Sequence, residues 1–322
     1  MSKGKRLDEI ARELLSQTTP KAKSLIVTVF GDAIAPHGGT VWLGSLIALM
    51  APFGVNERLV RTAVLRLSRE DWLVSRQLGR RSYYSFTENG RRRFEDAHRR
   101  IYAAHRSPWT GEWLLVSTAA DTLTPAERER LRTELAWLGF GALASGLFAH
   151  PSVDPEALRH VLQDLALVDR VVAMRARRDA ITSEAALRNL VRRAWDLEAL
   201  SRDYGDFLDR FRPAWHALEA TPAETLDPAA CFLIRVLLIH EYRRVLLRDP
   251  QLPEELLPGD WAGRAARLLC RNIYRRAALP AERHLMAIPE AAEGPFPEAA
   301  SYFNDRFGGL APGDALRETA AE

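Results

Sequence analysis

Four arginines are spaced along NERLVRTAVLRLSRE, the segment at positions 56–70. At about 100° per residue, a helix over this segment separates an apolar face from a basic face. The residues predicted to face the core are Leu59, Val60, Ala63, Val64 and Leu67. The opposite face carries Arg58, Arg61, Thr62, Leu65, Arg66 and Arg69, and Asn56 precedes the helix. A guanidinium can bind guanine through two hydrogen bonds and an apolar side chain can contact a thymine methyl group, so this face is a candidate reader of the DNA major groove.

A merely solvated charged face is the alternative interpretation of this pattern. Only Glu57 and Glu70 offset the arginines, and both lie at the ends of the segment. Leu65 lies among the arginines, where a face exposed only to solvent does not usually carry an apolar side chain. Asn56 is suited to cap the helix, because its side-chain oxygen can accept a free backbone N–H. We therefore predict a helix that faces DNA, provided that its neighbours can present it.

The neighbouring segments predict the elements that would present this helix. A first helix is expected from Pro20 to the loop APHGGT, and a second from Val41 to Met50, where APFG forms a tight turn. Two strands, Trp72–Arg76 and Ser82–Phe86, follow the arginine helix, and a long helix from Glu88 to about residue 104 closes the unit. This order is typical of a winged helix-turn-helix, in which the second helix of the pair enters the major groove.

The predicted wing is itself basic. Arg76, Arg80 and Arg81 surround its turn at Gly79, where they can grip flanking phosphates or the minor groove. Residues 1–108 carry 19 Lys and Arg against 10 Asp and Glu, a net of +9, whereas the remaining residues carry 26 against 32, a net of −6. A basic end on an acidic body indicates a nucleic-acid-binding domain fused to another function. A membrane surface is the alternative partner, but it favours an amphipathic helix with exposed aromatic residues, which this end lacks.

The order of segments predicts two further domains in an α+β protein. Residues 109–178 have the β-α-β-β-α-β order of a ferredoxin-like unit, with a capping box at Thr124–Glu127. Nearly all of the next hundred residues have a helical pattern. The predicted parts are a frayed helical arm over residues 1–20, the winged helix-turn-helix domain over 21–106, the ferredoxin-like βαββαβ central domain over 107–179, an all-α C-terminal domain over 180–288 and a loose tail over 289–322.

Motifs for catalysis and metal binding are weak in this sequence. HEYRR at 240–244 begins like a zinc-protease helix, but Arg244 occupies the position of the second histidine. Cys231 and Cys270 lie in apolar helical patterns and are expected to be buried thiols.

Asp121 follows the first strand of the central domain, where small ferredoxin-like CRISPR nucleases have a catalytic aspartate. A single carboxylate holds a divalent ion poorly, so Asp121 is expected to cap a turn, and we predict no catalytic residue, metal or cofactor.

The C-terminal helices combine cations with aromatic residues. Arg235, His240, Arg243 and Arg244 recur on a helix otherwise made of Leu, Ile and Val, and aromatic residues such as Trp261 follow nearby in sequence. Most of these aromatic residues are expected in the core, and the outward arginines in solvent. Several cations beside an aromatic surface would nevertheless suit an anionic ligand with an apolar or aromatic end.

Hydropathy argues against a membrane protein. The longest apolar runs are interrupted by Arg235, and the first seventeen residues are charged and lack the apolar region of a secretion signal. We therefore expect a cytoplasmic protein without a membrane partner.

Several segments together resemble one family. They are the run 25–102, WTGEWLLVS, ELAWLGFGAL and RVLLIHEYRRVLLRDPQLPEELLPGDWAGRAA. The chain resembles the PaaX-type repressors of phenylacetate degradation over nearly its whole length, and DPQLPEELLPGDW at 249–261 is the most specific segment. The winged part alone resembles the broader GntR class. One departure is Glu70–Asp71–Trp72, where a glycine commonly precedes the first wing strand.

The resemblance implies a dimeric repressor that binds a palindromic double-stranded operator. It implies release when phenylacetyl-coenzyme A or a related acyl-coenzyme A binds. We expect the effector in the C-terminal domain or where it meets the central domain, and the C-terminal domain is the candidate for dimerisation. The effector is then expected near Arg235, His240, Arg243, Arg244 and Trp261. Two alternatives remain: a metal-dependent nucleic-acid-processing enzyme that uses the central domain, and an adaptor that scaffolds other proteins. The basic winged unit favours the repressor over the adaptor, and the lack of paired catalytic carboxylates disfavours the enzyme.

Overall fold

The structure is a computed structural model that describes residues 6–103, 109–118, 122–179, 181–288, 290–291 and 294–310. Its helices are α1 Leu7–Thr18, α2 Ala22–Val29, α3 Leu43–Met50, α4 Glu57–Arg69, α5 Glu88–Tyr102, α6 Pro125–Trp137, α7 Pro155–Asp164, α8 Glu184–Ala194, α9 Leu197–Ala220, α10 Pro228–Leu246 and α11 Ala262–Met286. Its strands are β1 Thr40–Trp42, β2 Leu73–Leu78, β3 Arg81–Phe86, β4 Glu112–Ser117, β5 Gly141–Ala144, β6 Leu147–His150, β7 Val172–Arg177, β8 Glu290–Ala291 and β9 Gly294–Pro295. The chain is therefore an α+β protein with small antiparallel sheets, as the sequence predicts.

The chain forms two compact units, each of them discontinuous in sequence. The first comprises Met1–His105, Gly205–Arg244 and Arg264–Glu322, and the second comprises Arg106–Tyr204 and Val245–Gly263. The predicted domain boundaries after residues 106, 179 and 288 fall on or beside residues outside the described ranges. The five-part division of the chain therefore stays a prediction.

The first unit contains α2, α3 and α4 beside a three-stranded sheet of order β1-β3-β2. The buried side chains of these helices include Leu25, Ile26, Val29, Leu46, Leu49, Met50, Val60, Val64 and Leu67. Each such side chain contributes about 1.5–3 kcal/mol through burial, which fixes the three helices against one another. After α2 the chain continues as a π-helical turn, Phe30–Ile34, and leaves the helical path near Gly38 and Gly39, where the sequence predicts a stop.

Two details of this unit differ from the prediction. The second helix begins at Leu43 instead of Val41, because Thr40–Trp42 forms β1 and pairs with β3. Leu59 is 48% exposed and does not belong to the core. At 100° per residue it lies about 90° from the centre of the buried stripe of α4, which is too far round to reach the other helices.

The N-terminal arm is packed rather than frayed over the residues described. Helix α1 buries Leu7, Ile10, Ala11 and Leu14, one apolar stripe at helical spacing. The prediction of a loose arm is therefore wrong from Leu7 onward.

The tail is likewise ordered where it is described. Phe296, Phe303, Phe307 and Leu310 are buried, and Arg306 is 1% exposed. The sequence prediction of a loose tail is wrong for residues 294–310, because its widely spaced aromatic side chains supply a core-facing surface that overall composition hides. Residues 311–322 lie outside the described part of the chain.

The second unit contains a four-stranded antiparallel sheet of order β5-β6-β4-β7. Its elements follow the predicted order β-α-β-β-α-β from β4 to β7. The predicted capping box is confirmed: the backbone N–H of Glu127 donates to Thr124 Oγ1 over 3.3 Å, and the Thr124 N–H donates to Glu127 Oε2 over 2.8 Å. Helices α6 and α7 bury Leu131, Leu135, Leu158 and Leu162 in the core of this unit.

Cys231 and Cys270 are buried free thiols, as predicted. Burial raises the pKa of Cys231 to about 12, so this thiol is protonated and inert at neutral pH.

Within the described ranges, no single helix is long and apolar enough to span a membrane. One pair of consecutive segments reaches the required length and hydropathy when taken together, namely Leu43–Phe53 and Glu57–Arg69. The two segments of this pair are bent by 118° relative to each other.

Candidate nucleic-acid interface

The arginine helix α4 is positioned by its cap and by its apolar stripe. The Asn56 side chain accepts a hydrogen bond from the Leu59 N–H over 3.0 Å, which confirms the predicted cap. The turn that precedes it includes Gly54, whose φ of 72° lies in the left-handed region that favours glycine. This turn produces the 118° bend between the α3 segment and α4. The opposite face of α4 is thereby held away from the core.

That outward face carries every residue predicted for it. Asn56, Arg58, Arg61, Thr62, Leu65, Arg66 and Arg69 are all exposed. Arg61 forms an ion pair with Glu57 over 2.7 Å, one turn away, and the Thr62 hydroxyl donates to the Arg58 carbonyl over 2.8 Å. Among the described residues, no carboxylate pairs with the guanidinium of Arg58, Arg66 or Arg69. The face therefore presents positive charge that the fold does not use.

The hairpin of β2 and β3 presents the second group of predicted cations. Arg76, Arg80 and Arg81 are exposed. Leu78 pairs with Arg81, so the connection is the two-residue turn Gly79–Arg80, with φ of 57° at Gly79. The Arg81 guanidinium lies 4.4 Å from the centre of the Trp42 ring, a cation–π contact that orients this side chain.

The base of the hairpin is held by close backbone contacts. The Thr87 N–H donates to the Trp72 carbonyl over 3.0 Å, and the Thr87 side chain caps α5. A side chain at Gly90 would bring its Cβ within 2.2 Å of the same carbonyl oxygen, so this position requires glycine. Asp71, which precedes β2, has a φ of 57°. This residue thus occupies a backbone conformation in which glycine is favoured.

Arg235 does not lie on an outward cationic surface, contrary to the prediction. It is fully buried, its Nε lies 2.9 Å from Asp32 Oδ2, and its Nη1 donates to Glu282 Oε1 over 2.6 Å. Burial alone would lower the pKa of Arg235, but Asp32 and Glu282 raise it above its ordinary value. This arginine holds the first unit together and cannot face a ligand.

Of the other four predicted effector residues, three are close together on α10 in the first unit: His240, Arg243 and Arg244. His240 is buried and is hydrogen-bonded to Thr28 over 3.0 Å. Burial is the main cause that lowers its pKa to about 3, and the charges of Arg243 and Arg244 add to it, so the ring is neutral at neutral pH. Arg243 is only partly exposed, and burial lowers its pKa. Arg244 is exposed and paired with Glu241 over 3.0 Å. Trp261 belongs to the second unit, where it is buried with its ring centre 5.7 Å from that of Tyr204.

A buried polar cluster around Asp32 was missed at the level of sequence. Asp32 accepts hydrogen bonds from Tyr102 over 2.7 Å and from Tyr274 over 2.9 Å, and Arg306 Nη1 lies 3.2 Å from it. The Arg306 guanidinium also lies 4.1 Å from the centre of the Tyr102 ring. One signal was available: Arg235 stands in the run FLIRVLLI, where a charge within a helix that is apolar all round indicates a buried partner.

No metal site accompanies these clusters in the described part of the chain, where no three His, Cys, Asp or Glu side chains are placed to hold an ion. Asp121, the residue of the nuclease alternative, lies outside the described residues.

Comparisons with known proteins identify chains that are similar to this one. The chain matches the family descriptions "PaaX-like protein" over residues 21–90, "PaaX protein central Cas2-like domain" over 106–188 and "PaaX-like protein C-terminal domain" over 195–287. It is 40% identical over 306 residues to the transcriptional repressor PaaX of Escherichia coli strain K12, covering 95% of this chain and 96% of that protein. A solved structure, the uncharacterized protein Rv0674 from Mycobacterium tuberculosis, aligns with a TM-score of 0.46 and 25% identity, covering 73% of this chain and 89% of that one.

The family matches and the E. coli relative define a class of protein, transcriptional repressors with a Cas2-like central domain. The chain belongs to the PaaX family of that class.

Proposed function

We propose that this protein is a DNA-binding transcriptional repressor whose first unit contains a winged helix-turn-helix. In this proposal α3 and α4 are the helix-turn-helix pair, α4 enters the major groove, and the hairpin of β2 and β3 is the wing. The proposed DNA contacts are Asn56, Arg58, Arg61, Thr62, Leu65, Arg66, Arg69, Arg76, Arg80 and Arg81. The proposed partner is double-stranded operator DNA.

One observation carries the proposal: the outward face of α4 is exposed and basic, and Arg58, Arg66 and Arg69 have no carboxylate partner among the described residues. An α-helix of about 10–12 Å diameter fits a major groove about 12 Å wide, so such a face can reach base edges. Leu65 is 53% exposed in the middle of this face, where an apolar side chain can contact a thymine methyl group. The bend of 118° lies within the range of about 90–120° between the helices of a helix-turn-helix.

The regulated system and the signal are proposed from family membership. The E. coli relative is named a transcriptional repressor. By resemblance to the PaaX-type repressors, we propose that this protein controls genes of aromatic-acid catabolism, with phenylacetate as the first candidate. We propose that phenylacetyl-coenzyme A or a related acyl-coenzyme A releases it from DNA, and that it acts as a homodimer on a palindromic site. The ferredoxin-like second unit is proposed to have a structural role rather than a catalytic one.

The test begins with the DNA that the protein occupies in cells. Sequencing that DNA is expected to yield a palindromic site beside genes of aromatic-acid degradation. The purified chain should then bind a duplex carrying this site about 10³-fold or more tightly than an unrelated duplex at matched salt. Addition of phenylacetyl-coenzyme A should weaken the complex roughly 5- to 150-fold, the usual range of coupling between two sites. Equal affinity for all duplexes would refute a sequence-specific repressor.

A further inference from the structure

A cleft of about 660 Å³ lies in the first unit, on the side of the sheet where β1 meets the end of β3. It is lined by the Gly38–Gly39 turn, by Ser85 and Phe86 of β3, by one face of α5, and by Ala300 and Tyr302. Pockets that hold drug-sized ligands have volumes of about 300–1,000 Å³, so this cleft is large enough for a small organic molecule.

The wall of the cleft is aromatic. The rings of Phe86 and Phe94 are stacked with their centres 5.4 Å apart, and His98 packs edge-on against Phe94 at 5.5 Å and against Tyr302 at 5.3 Å. Aromatic side chains favour stacked and edge-to-face neighbours at such distances, so a flat aromatic group can add to this series.

The rim of the cleft carries two guanidinium groups and one carboxylate. Arg91 and Arg99 are exposed on α5, together with Glu95. Arg99 is already paired with Asp96. Arg91 has no carboxylate partner among the residues that the structure describes. The side of the cleft at Arg91 is therefore suited to an anionic group.

His98 adds an unused hydrogen-bonding position. Its Nε2 is buried and has no hydrogen-bond partner within the described ranges. Burial, and then Arg306, lower the pKa of this histidine to about 4, so the ring is neutral at neutral pH and offers one donor and one acceptor nitrogen. Because this nitrogen is buried, a ligand in the cleft is expected to contact the face or edge of the His98 ring rather than Nε2.

We propose that this cleft is a binding site for a small anionic aromatic acyl compound, with the ring against Phe94 and Tyr302 and the anionic group at Arg91. The shared chemistry has two sources, a free aryl carboxylate and an aryl-acyl thioester of coenzyme A. The proposal rests on the proposed function, because it gives the effector of that repressor a site. It also moves that site from Arg235 and His240, which are buried, to a cleft of the same unit that α5 and β3 line.

The position of the cleft explains how its occupant would act on DNA binding. Ser85 and Phe86 end β3, and the other end of the same strand is Arg81, beside the proposed wing turn. Ser85 also pairs with Thr40 of β1 and with Val74 of β2, so one strand connects the cleft to the hairpin. A ligand that binds more tightly when β3 is in one of two placements shifts the hairpin toward that placement. If that placement disfavours DNA binding, operator DNA must weaken ligand binding by the same factor.

The test uses the full chain and calorimetric titration with phenylacetyl-coenzyme A, phenylacetate and coenzyme A. Ala300→Trp fills the cleft from an exposed position whose backbone N–H, bonded to the Pro36 carbonyl over 2.8 Å, is unaffected by the change. Arg91→Ala removes the proposed anion contact. Arg92→Ala is the matched control, because this neighbouring arginine is exposed, removes the same charge and does not line the cleft.

At least one of the two aryl compounds should bind the wild-type chain more tightly than coenzyme A does. Arg91→Ala should weaken that binding by about tenfold or more, the usual effect of losing a charge-assisted contact. Ala300→Trp should weaken it by at least about as much, because the indole occupies the cleft, and Arg92→Ala should change it less than about twofold. An unchanged thermal midpoint of Ala300→Trp shows that its fold is intact.

Two results would overturn the inference. One is that both cleft variants bind the aryl compounds as tightly as the wild type does. If phenylacetyl-coenzyme A also released these variants from operator DNA at the wild-type concentration, the proposed function would stand and only the assignment of the cleft would be wrong. The other is the absence of binding by either aryl compound to a wild-type chain that does bind its operator. A chain that binds no operator refutes the proposed function itself.

Discussion

Two groups of arginines in the first unit occupy opposite environments. Those on α4 and on the hairpin are exposed, and Arg58, Arg66 and Arg69 have no carboxylate partner in the described part of the chain. Arg235 and Arg306 are buried, and both lie against Asp32. An exposed ion pair contributes about 0–1 kcal/mol to stability, whereas removal of one partner from a buried pair costs about 3–5 kcal/mol. Arg58, Arg66 and Arg69 are therefore available to a partner, and the buried group is committed to the fold.

The largest expected effect is at the shared carboxylate of the buried group. Asp32→Asn leaves Arg235 and Arg306 in the interior with a neutral neighbour, so we expect the free energy of unfolding to fall by about 3–5 kcal/mol. Asp209→Asn is the control, since Asp209 is exposed and pairs with Arg212 over 2.8 Å; its effect should stay within about 1 kcal/mol. Denaturant unfolding measures both. Equal losses of unfolding free energy in Asp32→Asn and Asp209→Asn would contradict the distinction between the buried and the exposed arginines.

The exposed group should show the reverse behaviour. Arg61→Ala is expected to lose about 1–3 kcal/mol of specific operator binding while the unfolding free energy changes by less than about 1 kcal/mol. Arg130→Ala, an exposed arginine of the second unit, removes the same charge and controls for net charge. The measurement is fluorescence anisotropy at matched salt. Operator affinity equal to that of the wild type in Arg61→Ala would contradict the groove assignment.

The buried neutral side chain of His240 should make the stability of the protein depend on pH. Folded His240 has a pKa lowered to about 3, first by burial, whereas an unfolded histidine has a pKa of about 6.5. Below about pH 6.5 the unfolded state binds the additional proton, so stability is lost as the pH falls toward 3, by up to about 1.4 kcal/mol per pH unit.

His240→Gln should flatten that dependence between about pH 4.5 and 6, because glutamine keeps a hydrogen-bonding group near Thr28 without titrating. Urea unfolding at several pH values provides the measurement, and His160→Gln, at an exposed position, should retain the wild-type slope. The same slope in His240→Gln as in the wild type would show that this histidine is not the buried base.

The smallest effect is expected at the wing. Arg80→Ala should weaken binding to all duplexes about equally and make the dependence of log affinity on log salt less steep by about one unit. Titrations of specific and unrelated duplexes at several salt concentrations measure it. A changed base preference with an unchanged salt slope would mean that the hairpin reads bases rather than phosphates.

The arginine helix could be predicted from sequence because its determinants are local. Asn56, the stripe of Val60, Val64 and Leu67, and the intervening arginines all lie within one segment, and helical periodicity sorts them onto two faces. The β-α-β-β-α-β order of the second unit was predictable for the same reason, since proline and threonine caps mark its helices.

The buried cluster could not be predicted in the same way, because its partners are distant in sequence. Arg235 and Glu282 are 47 residues apart, and Arg306 and Asp32 are 274 apart. The cations of α10 were therefore interpreted as a ligand-binding surface. The apolar residues on all sides of that helix already indicated that the helix is buried. The cleft escaped prediction too, since its wall combines Phe94 with Tyr302, which belongs to a tail judged loose from its composition.

The pairing of Arg306 with Asp32 also has a consequence for synthesis on the ribosome. Asp32 is translated 274 residues before Arg306. At about 5–20 residues per second, the buried carboxylate waits roughly 14–55 s for this partner. The Asp32 cluster therefore cannot be completed until Arg306 has been made, and a nascent chain that stops short of Arg306 exposes an incomplete core to chaperones and proteases.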